Sequence, residues 1–214
     1  MIFNLSDHSS VANIFISELR DAEVQKDRLR FRRNVERLGE IMAYEVSKEL
    51  KHVDREVTTP LGKAKTSVPE ISPVLLTILR AGLPFFQGFL NMFDRADCGF
   101  IGAYREEAIG SIQIKLDYIA IPDIEDKVIV LIDPMLATGR SILDSIQWIL
   151  KKGKPKHIHI VSLIAAPEGI DYLSKKIEVS HKIWTCALDE RINNLFYIVP
   201  GLGDAGDLSF GLKI

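Results

Sequence analysis

The 214-residue sequence has only two cysteines, Cys98 and Cys186, each in or beside an apolar run. Two such cysteines form neither a disulfide framework nor a metal-ligand spacing, which argues against a small secreted scaffold and a zinc module. Both are expected to be buried thiols of a reducing compartment. The chain lacks a basic segment followed by an apolar core, and no apolar run approaches the roughly 18 residues of a membrane span. A cytoplasmic protein with no membrane partner is the expectation. Charge of one sign is missing too. With 27 Lys+Arg against 29 Asp+Glu, the formal net charge of −2 offers no global reason to expect nucleic acid.

Other chemistries are absent on inspection of spacing. Gly62-Lys-Ala-Lys-Thr66 lacks the Gly-x-x-x-x-Gly-Lys-Ser/Thr pattern and follows no apolar strand, which argues against a kinase site. His157, His159 and His181 stand at no metal spacing with one another or with either cysteine, so they are read as strand or surface residues. No nucleophilic Ser/His/Asp arrangement outcompetes the loop chemistry that follows, and no internal repeat or low-complexity segment is visible. What remains, 47% hydrophobic and 26% charged, suits a globular chain of one domain with a sizeable core.

The chain is organised around residues 128–142. Val128-Ile-Val-Leu-Ile132, with β-branched side chains dominant, reads as a fully buried strand of a parallel sheet. Ile142, Leu143, Ile146, Ile149 and Leu150 then fall on a helical period over 141–152, and Gly153 stops it. Asp133 and the loop 137–141 therefore lie at the carboxyl end of a strand, where open α/β sheets bind ligands. Backbone N–H groups, the positive helix end and the hydroxyls of Thr138 and Ser141 suit a phosphate. An acid beside a phosphate site suits sugar hydroxyls or a metal-bound diphosphate, and the pair suggests a ribose phosphate.

Residues 8–20 and 25–52 read as helices, with Val11, Ile14, Phe15 and Leu19 at helical spacing in the first. Leu29, Val35, Leu38, Ile41, Met42 and Val46 do the same in the second. The dense basic run Arg28, Arg30, Arg32, Arg33 and Arg37 is expected to be a solvated or inter-subunit face. Segment 58–73, rich in Pro, Gly, Thr and Ser, is expected to be a loop. Strands are predicted at 74–79, 99–103, 157–164 and 182–187, and helices at 83–93 and around 169–176. This order predicts an α/β fold, a mainly parallel sheet covered by helices. Alternating Ile112, Ile114 and Leu116 within 105–126 predict a protruding β-hairpin placed to act as a lid. The stretch Tyr197-Ile-Val-Pro-Gly-Leu-Gly-Asp-Ala-Gly-Asp207, with its glycines, proline and aspartates, is expected to be a shaped loop, neither helix nor central strand.

Asp133-Pro-Met-Leu-Ala-Thr-Gly139, followed by Arg140 and Ser141, resembles the phosphoribosyl-diphosphate (PRPP) loop of the type I phosphoribosyltransferases, in the variant typical of the uracil phosphoribosyltransferase family. Ile78-Leu-Arg-Ala-Gly-Leu83, the pair Tyr104-Arg105 and the 197–207 stretch resemble three further motifs of that family, in family order. Phe31-Arg32 is similar to a pair in its amino-terminal arm, and Ala165-Ala-Pro-Glu-Gly169 to a scaffold segment that ends a strand and starts a helix. The likeness spans about residues 31–211.

The resemblance implies a single phosphoribosyltransferase domain, 1–214, with a helical arm (1–57), an α/β core (73–187), the lid (105–126) and a base-binding hood (188–214). It implies that uracil and PRPP give UMP and diphosphate in pyrimidine salvage, with Arg80, Arg105 and Asp204 as catalytic residues. PRPP would be held by Arg80, Arg105, Asp133, Pro134, Met135, Leu136, Ala137, Thr138, Gly139, Arg140, Ser141 and Asp204. Uracil would be read by Ile198, Gly203, Asp204 and Ala205, largely through backbone groups. Mg²⁺ would come bound to PRPP with no direct protein ligand. A homo-oligomer, dimer or tetramer, and a GTP effector belong to the same expectation. Three departures stand out: Arg140 where the family has Gly, Leu208-Ser209 where it has a basic and then an apolar residue, and the ending Gly211-Leu-Lys-Ile. Two rivals keep the fold: a PRPP- or uridylate-sensing regulator without turnover, and a phosphoribosyltransferase of different base choice.

Overall fold

The computed structural model describes the backbone of residues 2–108 and 111–212, and the side chains of these outside 103–117. The chain opens with a strand β1 (Ile2–Asn4), then helices α1 (Ala12–Arg20) and α2 (Arg28–Ser47). Asp27 starts α2: its carboxylate accepts from the N–H groups of Leu29 and Arg30, a cap worth about 1 kcal/mol. Phe31, Val35, Leu38, Met42 and Val46, spaced three or four apart, bury one stripe of α2. Of the basic run on its other side, Arg28, Arg30, Arg33 and Arg37 are exposed and Arg32 is half-buried, in keeping with the expected solvated or inter-subunit face, and several of them are also tied within the chain. Arg30 pairs with Glu18, Arg33 with Glu36, and the Arg37 guanidinium lies 5.2 Å from the Phe15 ring centroid.

Next come β2 (His52–Thr59) and β3 (Gly62–Pro69), an antiparallel hairpin in register from His52↔Pro69 to Thr59↔Gly62. This corrects the loop expected at 58–73. Both faces of the hairpin are mostly exposed, so no alternation of apolar and polar residues announces it; backbone pairing and extended-favouring Val and Thr residues carry it. Gly62-Lys-Ala-Lys-Thr66 lies on β3.

The remainder alternates: β4 (Val74–Leu79), α3 (Leu83–Met92), β5 (Cys98–Ala108), β6 (Ser111–Ala120), β7 (Val128–Ile132), a two-residue β8 (Met135–Leu136), α4 (Arg140–Leu150), β9 (His157–Ala165), α5 (Pro167–Lys176) and β10 (His181–Leu188). Short β11 (Arg191–Ile192) and β12 (Ile198–Val199) pair with each other, and α6 (Ala205–Phe210) follows. Among the described residues the main sheet has the order β1-β10-β9-β7-β4-β5-β6, with β8 running beside β9. Every pairing in it is parallel except β5 with β6, which form the expected hairpin from Phe100↔Ala120 to Ala108↔Ser111.

Apolar side chains leave both sheet faces, as a buried parallel sheet requires. On one, Leu75, Val130, Val161 and Trp184 pack with Leu38, Phe85 and Phe89 of α2 and α3. On the other, Leu76, Ile129, Leu131 and Ile160 pack with Ile142, Ile146, Ile149 and Leu173 of α4 and α5. Each such side chain contributes about 1.5–3 kcal/mol when fully buried. Cys186 is buried as expected, and burial pushes its thiol pKa up. Cys98 is only half-buried, at the start of β5 where its Sγ–H meets the Ala96 carbonyl at 3.3 Å. His157, His159 and His181 lie on β9 and β10. No helix among the described residues is long and apolar enough to cross a membrane.

Candidate active site

The order of the strands fixes where a ligand can sit. From β4 the chain moves outward to β5 and β6, then returns on the other side of β4 as β7, β9 and β10. The loops after β4 and β7 therefore diverge at the carboxyl edge of the sheet, the switch point where open α/β sheets bind ligands. Register places the candidates there. Thr77 lies opposite Ile132, and Leu79 opposite Gly102, so Arg80, Asp133 and the β5 extension carrying Arg105 leave the same edge. The Thr77 hydroxyl donates to the Ile132 carbonyl at 3.3 Å and ties the two central strands. The Arg105 backbone pairs with Ile114 in the β5–β6 hairpin, and its side chain lies outside the described residues.

Beyond β7 the backbone does not hang free. The Asp133 N–H donates to the Val161 carbonyl (3.1 Å), and the Pro134 carbonyl accepts from Leu163 (3.0 Å) and Ile164 (3.1 Å). Met135 and Leu136 then pair with Ile164 and Ala165. The half-buried Asp133 carboxylate accepts from the Met135 N–H at 3.3 Å through Oδ1. Pro134, Leu136 and Ala137 are buried, Met135, Thr138 and Ser141 half-buried, and Arg140 is exposed. Gly139 turns the chain into α4 with φ of +76°, a left-handed conformation that suits glycine. The Arg140 N–H meets Thr138 Oγ1 at 3.4 Å. Burial raises the pKa of Asp144, one turn on, while the charge of Arg140 acts to lower it.

The loop also rests on α5. A Cβ on Gly169 would lie 2.4 Å from the Ala137 carbonyl oxygen, and one on Gly139 would lie 3.0 Å from the Gly169 oxygen. The segment Ala165-Ala-Pro-Glu-Gly169 ends β9 and starts α5 with Pro167 at the first turn, as its scaffold reading expects, and in addition it floors the loop.

Arg80 faces the carboxy-terminal segment. Its Nη2 donates to Asp207 Oδ1 (2.8 Å) and to the Gly211 carbonyl (2.7 Å), and among the described residues its buried Nε has no partner. A solitary strand-end arginine that meets a carboxylate here joins the first motif to the last. The 197–207 stretch is only partly the loop expected. Asp204 caps α6, its Oδ1 accepting from Gly206 (2.8 Å) and Asp207 (2.9 Å), so Ala205, Gly206 and Asp207 are helical. A capping carboxylate satisfies the first-turn N–H groups and outweighs the poor helix propensity of glycine. The Ile198 side chain is buried in the core while its backbone pairs with Ile192. Gly203, with φ of +97°, is exposed before the cap. Leu208 packs against the core, and the Arg32 Nη1 donates to the Ser209 carbonyl at 2.8 Å, so α2 fastens α6.

Sequence reasoning missed two further groups. Arg20, at the end of α1, forms a bidentate pair with Asp189 just after β10, at 2.6 and 3.0 Å. Glu168 accepts from the Ile192 N–H at 3.0 Å and joins α5 to β11. Neither had a spacing that could reveal it, because each partner is distant in sequence; the one local hint was an acid directly after an apolar strand.

A family model for uracil phosphoribosyltransferase matches residues 5–211. A uracil phosphoribosyltransferase of Porphyromonas gingivalis is 51% identical over 214 residues, covering 100% of this chain and 99% of that protein. The one of Methanothermobacter thermautotrophicus is 42% identical over 186 residues, covering 85% of this chain and 83% of its own. Among solved structures, the AQ2163 protein from Aquifex aeolicus covers 100% of both chains with a TM-score of 0.87 and 31% identity. With this family model matched over nearly its whole length, the chain belongs to the uracil phosphoribosyltransferase family.

Proposed function

We propose that the protein transfers the phosphoribosyl group of PRPP to uracil, giving UMP and diphosphate. The observation that carries this reading is the meeting, at one switch point, of the Asp133 loop, Arg80 and the 198–207 segment in a chain of this family. In this reading Asp133 accepts from the ribose hydroxyls, and the amides and hydroxyls of 137–141 hold the 5′-phosphate. Arg80 and Arg105 place positive charge where the leaving diphosphate gains negative charge; each charge-assisted hydrogen bond contributes about 1.5–3 kcal/mol. Backbone groups of Ile198 and 203–205 read the acceptor-donor-acceptor edge of uracil, and cytosine would leave them unpaired. The transition state has oxocarbenium character at the ribose, so positioning and water exclusion under the 105–126 lid and the 188–214 hood carry the rate.

Mg²⁺ fits this donor set. In this reading the hard carboxylate of Asp204 suits an ion carried on the phosphate oxygens of PRPP and water. When bound, it neutralises diphosphate charge. Homo-oligomeric assembly and response to GTP belong to the same proposal and are checked by analytical ultracentrifugation with and without GTP. The decisive assay supplies purified protein with PRPP, Mg²⁺ and uracil, cytosine, hypoxanthine or orotate in turn. UMP from uracil alone is expected. Product from another base would point to altered base choice, and PRPP binding without product to a regulator.

A further inference from the structure

We propose that the Arg20–Asp189 ion pair is a positioning device for the base: it touches no substrate, but it sets the shape of the loop that reads uracil. The inference rests on the functional reading above. Asp189 is 7% exposed, and its own N–H is bonded to the Ala165 carbonyl at 2.8 Å, so the carboxylate is anchored where β9 and β10 end. Its Oδ1 accepts from Arg20 Nη2 (2.6 Å) and its Oδ2 from Arg20 Nη1 (3.0 Å). The same two side chains then hold both polar groups of one peptide residue. Asp189 Oδ2 accepts from the Gly201 N–H at 2.7 Å, and Arg20 Nη1 donates to the Gly201 carbonyl at 3.1 Å.

Gly201 is the pivot of the loop. Its φ is +63°, and a Cβ there would lie 2.2 Å from the Ile198 carbonyl oxygen, so the turn folds directly back on Ile198. On its other side lie Leu202, which is buried, and Gly203. The pair therefore brackets Gly201, which lies within residues 199–202 between the two backbone segments assigned to uracil. A planar guanidinium satisfies this geometry and an ammonium does not: the fork must give two parallel bonds to the carboxylate and a third to a carbonyl. Losing either partner leaves the other charged and largely buried, and the Gly201 amide loses the acceptor that aims it.

Arg20→Lys and Asp189→Asn test the inference with the full-length protein. For both, the KM for uracil should rise at least tenfold while the KM for PRPP changes less than twofold, and PRPP binding without uracil should match wild type. Amide exchange at 198–206 should rise by an order of magnitude, with exchange in β4 and β7 unchanged. A lower melting temperature with unchanged uracil KM would assign the pair a purely structural role and overturn the inference. Equal losses for uracil and PRPP would overturn it as well. If wild type itself forms no UMP, the reading of the site fails, and the exchange at 198–206 still decides whether the pair holds the loop.

Discussion

Gly169→Ala sets two magnitudes against each other. Gly169 is buried in the first turn of α5, and alanine there gains up to about 1 kcal/mol of helix propensity. The added Cβ, however, would stand 2.4 Å from the Ala137 oxygen and 3.0 Å from Leu136 Cδ1. Ordinary contact begins near 3.4 Å, so helix and loop must part by about 1 Å. Overpacking of this kind costs about 1–3 kcal/mol, which leaves a net destabilisation of roughly 0–2 kcal/mol. Fold and melting should therefore change modestly. If the loop 137–141 takes up the shift, a misplacement of about 1 Å at what is proposed as a binding loop can cost about 10²-fold in rate. The assay is steady-state kinetics with PRPP varied at saturating uracil, beside thermal melting and a Ser174→Ala control on the exposed face of α5. kcat/KM for PRPP should fall by about 10- to 100-fold, with the control at wild-type values. A Gly169→Ala variant that melts higher and keeps its PRPP kinetics would refute the reasoning, because it would mean that α5 does not floor the loop.

Other residues give sharper separations of fold from chemistry. Asp204→Asn keeps an oxygen to cap α6 and should melt like wild type while losing turnover at least tenfold; Asp204→Ala should in addition lose about 1 kcal/mol of stability. Arg105→Ala should cut turnover by about 10- to 150-fold, the equivalent of one charge-assisted bond, with an unchanged circular dichroism melt. His159 accepts from Trp184 Nε1 at 3.0 Å, and burial, then the charges of His157 and Lys182, lower its pKa to about 3. The unfolded chain binds a proton there near pH 6.5 and the native state does not. Stability is thus full above about pH 6.5 and falls as pH drops toward 3, by up to about 1.4 kcal/mol per pH unit. His159→Asn, which keeps an acceptor for Trp184, should flatten urea-melt stability between pH 6.5 and 4. A thiol reagent at pH 8 should modify Cys98 alone in the native protein and Cys186 only after unfolding.

The parts legible in the sequence are those where one local stretch contains its own reason. Val128–Ile132 is doubly buried and so uniformly apolar, and in the loop after it Gly139 supplies the positive φ that turns the chain into α4. Hairpin β2–β3 escaped notice because neither of its faces is buried, and burial is what writes alternation into a strand. Three-residue β1 is too short for any period, and helix α6 is hidden because its stability comes from a cap and from Arg32, not from its composition.

The larger gap concerns what holds the loops to one another. Arg20 to Asp189 spans 169 positions and Arg80 to Asp207 spans 127, so no window of sequence contains both ends. These long ties run between the loops that the motifs identify. Arg80 reaches α6, Glu168 reaches β11 from the floor of the Asp133 loop, and Arg20 reaches Gly201 from a helix outside the α/β core. The Glu168–Ile192 bond thus ties the segment under the Asp133 loop to β11, which in the proposed reading joins the sugar-phosphate half to the base half. Leu208, a departure from the family motif on α6, is held by other contacts. It packs on the core where the resemblance implies a basic side chain, so its effect should be on how firmly α6 is seated, beside the Arg32–Ser209 bond, and not on the charge seen by PRPP. Leu208→Arg should then lower the melting temperature and leave the salt dependence of the PRPP KM unchanged. A steeper salt dependence would show that the position faces PRPP after all.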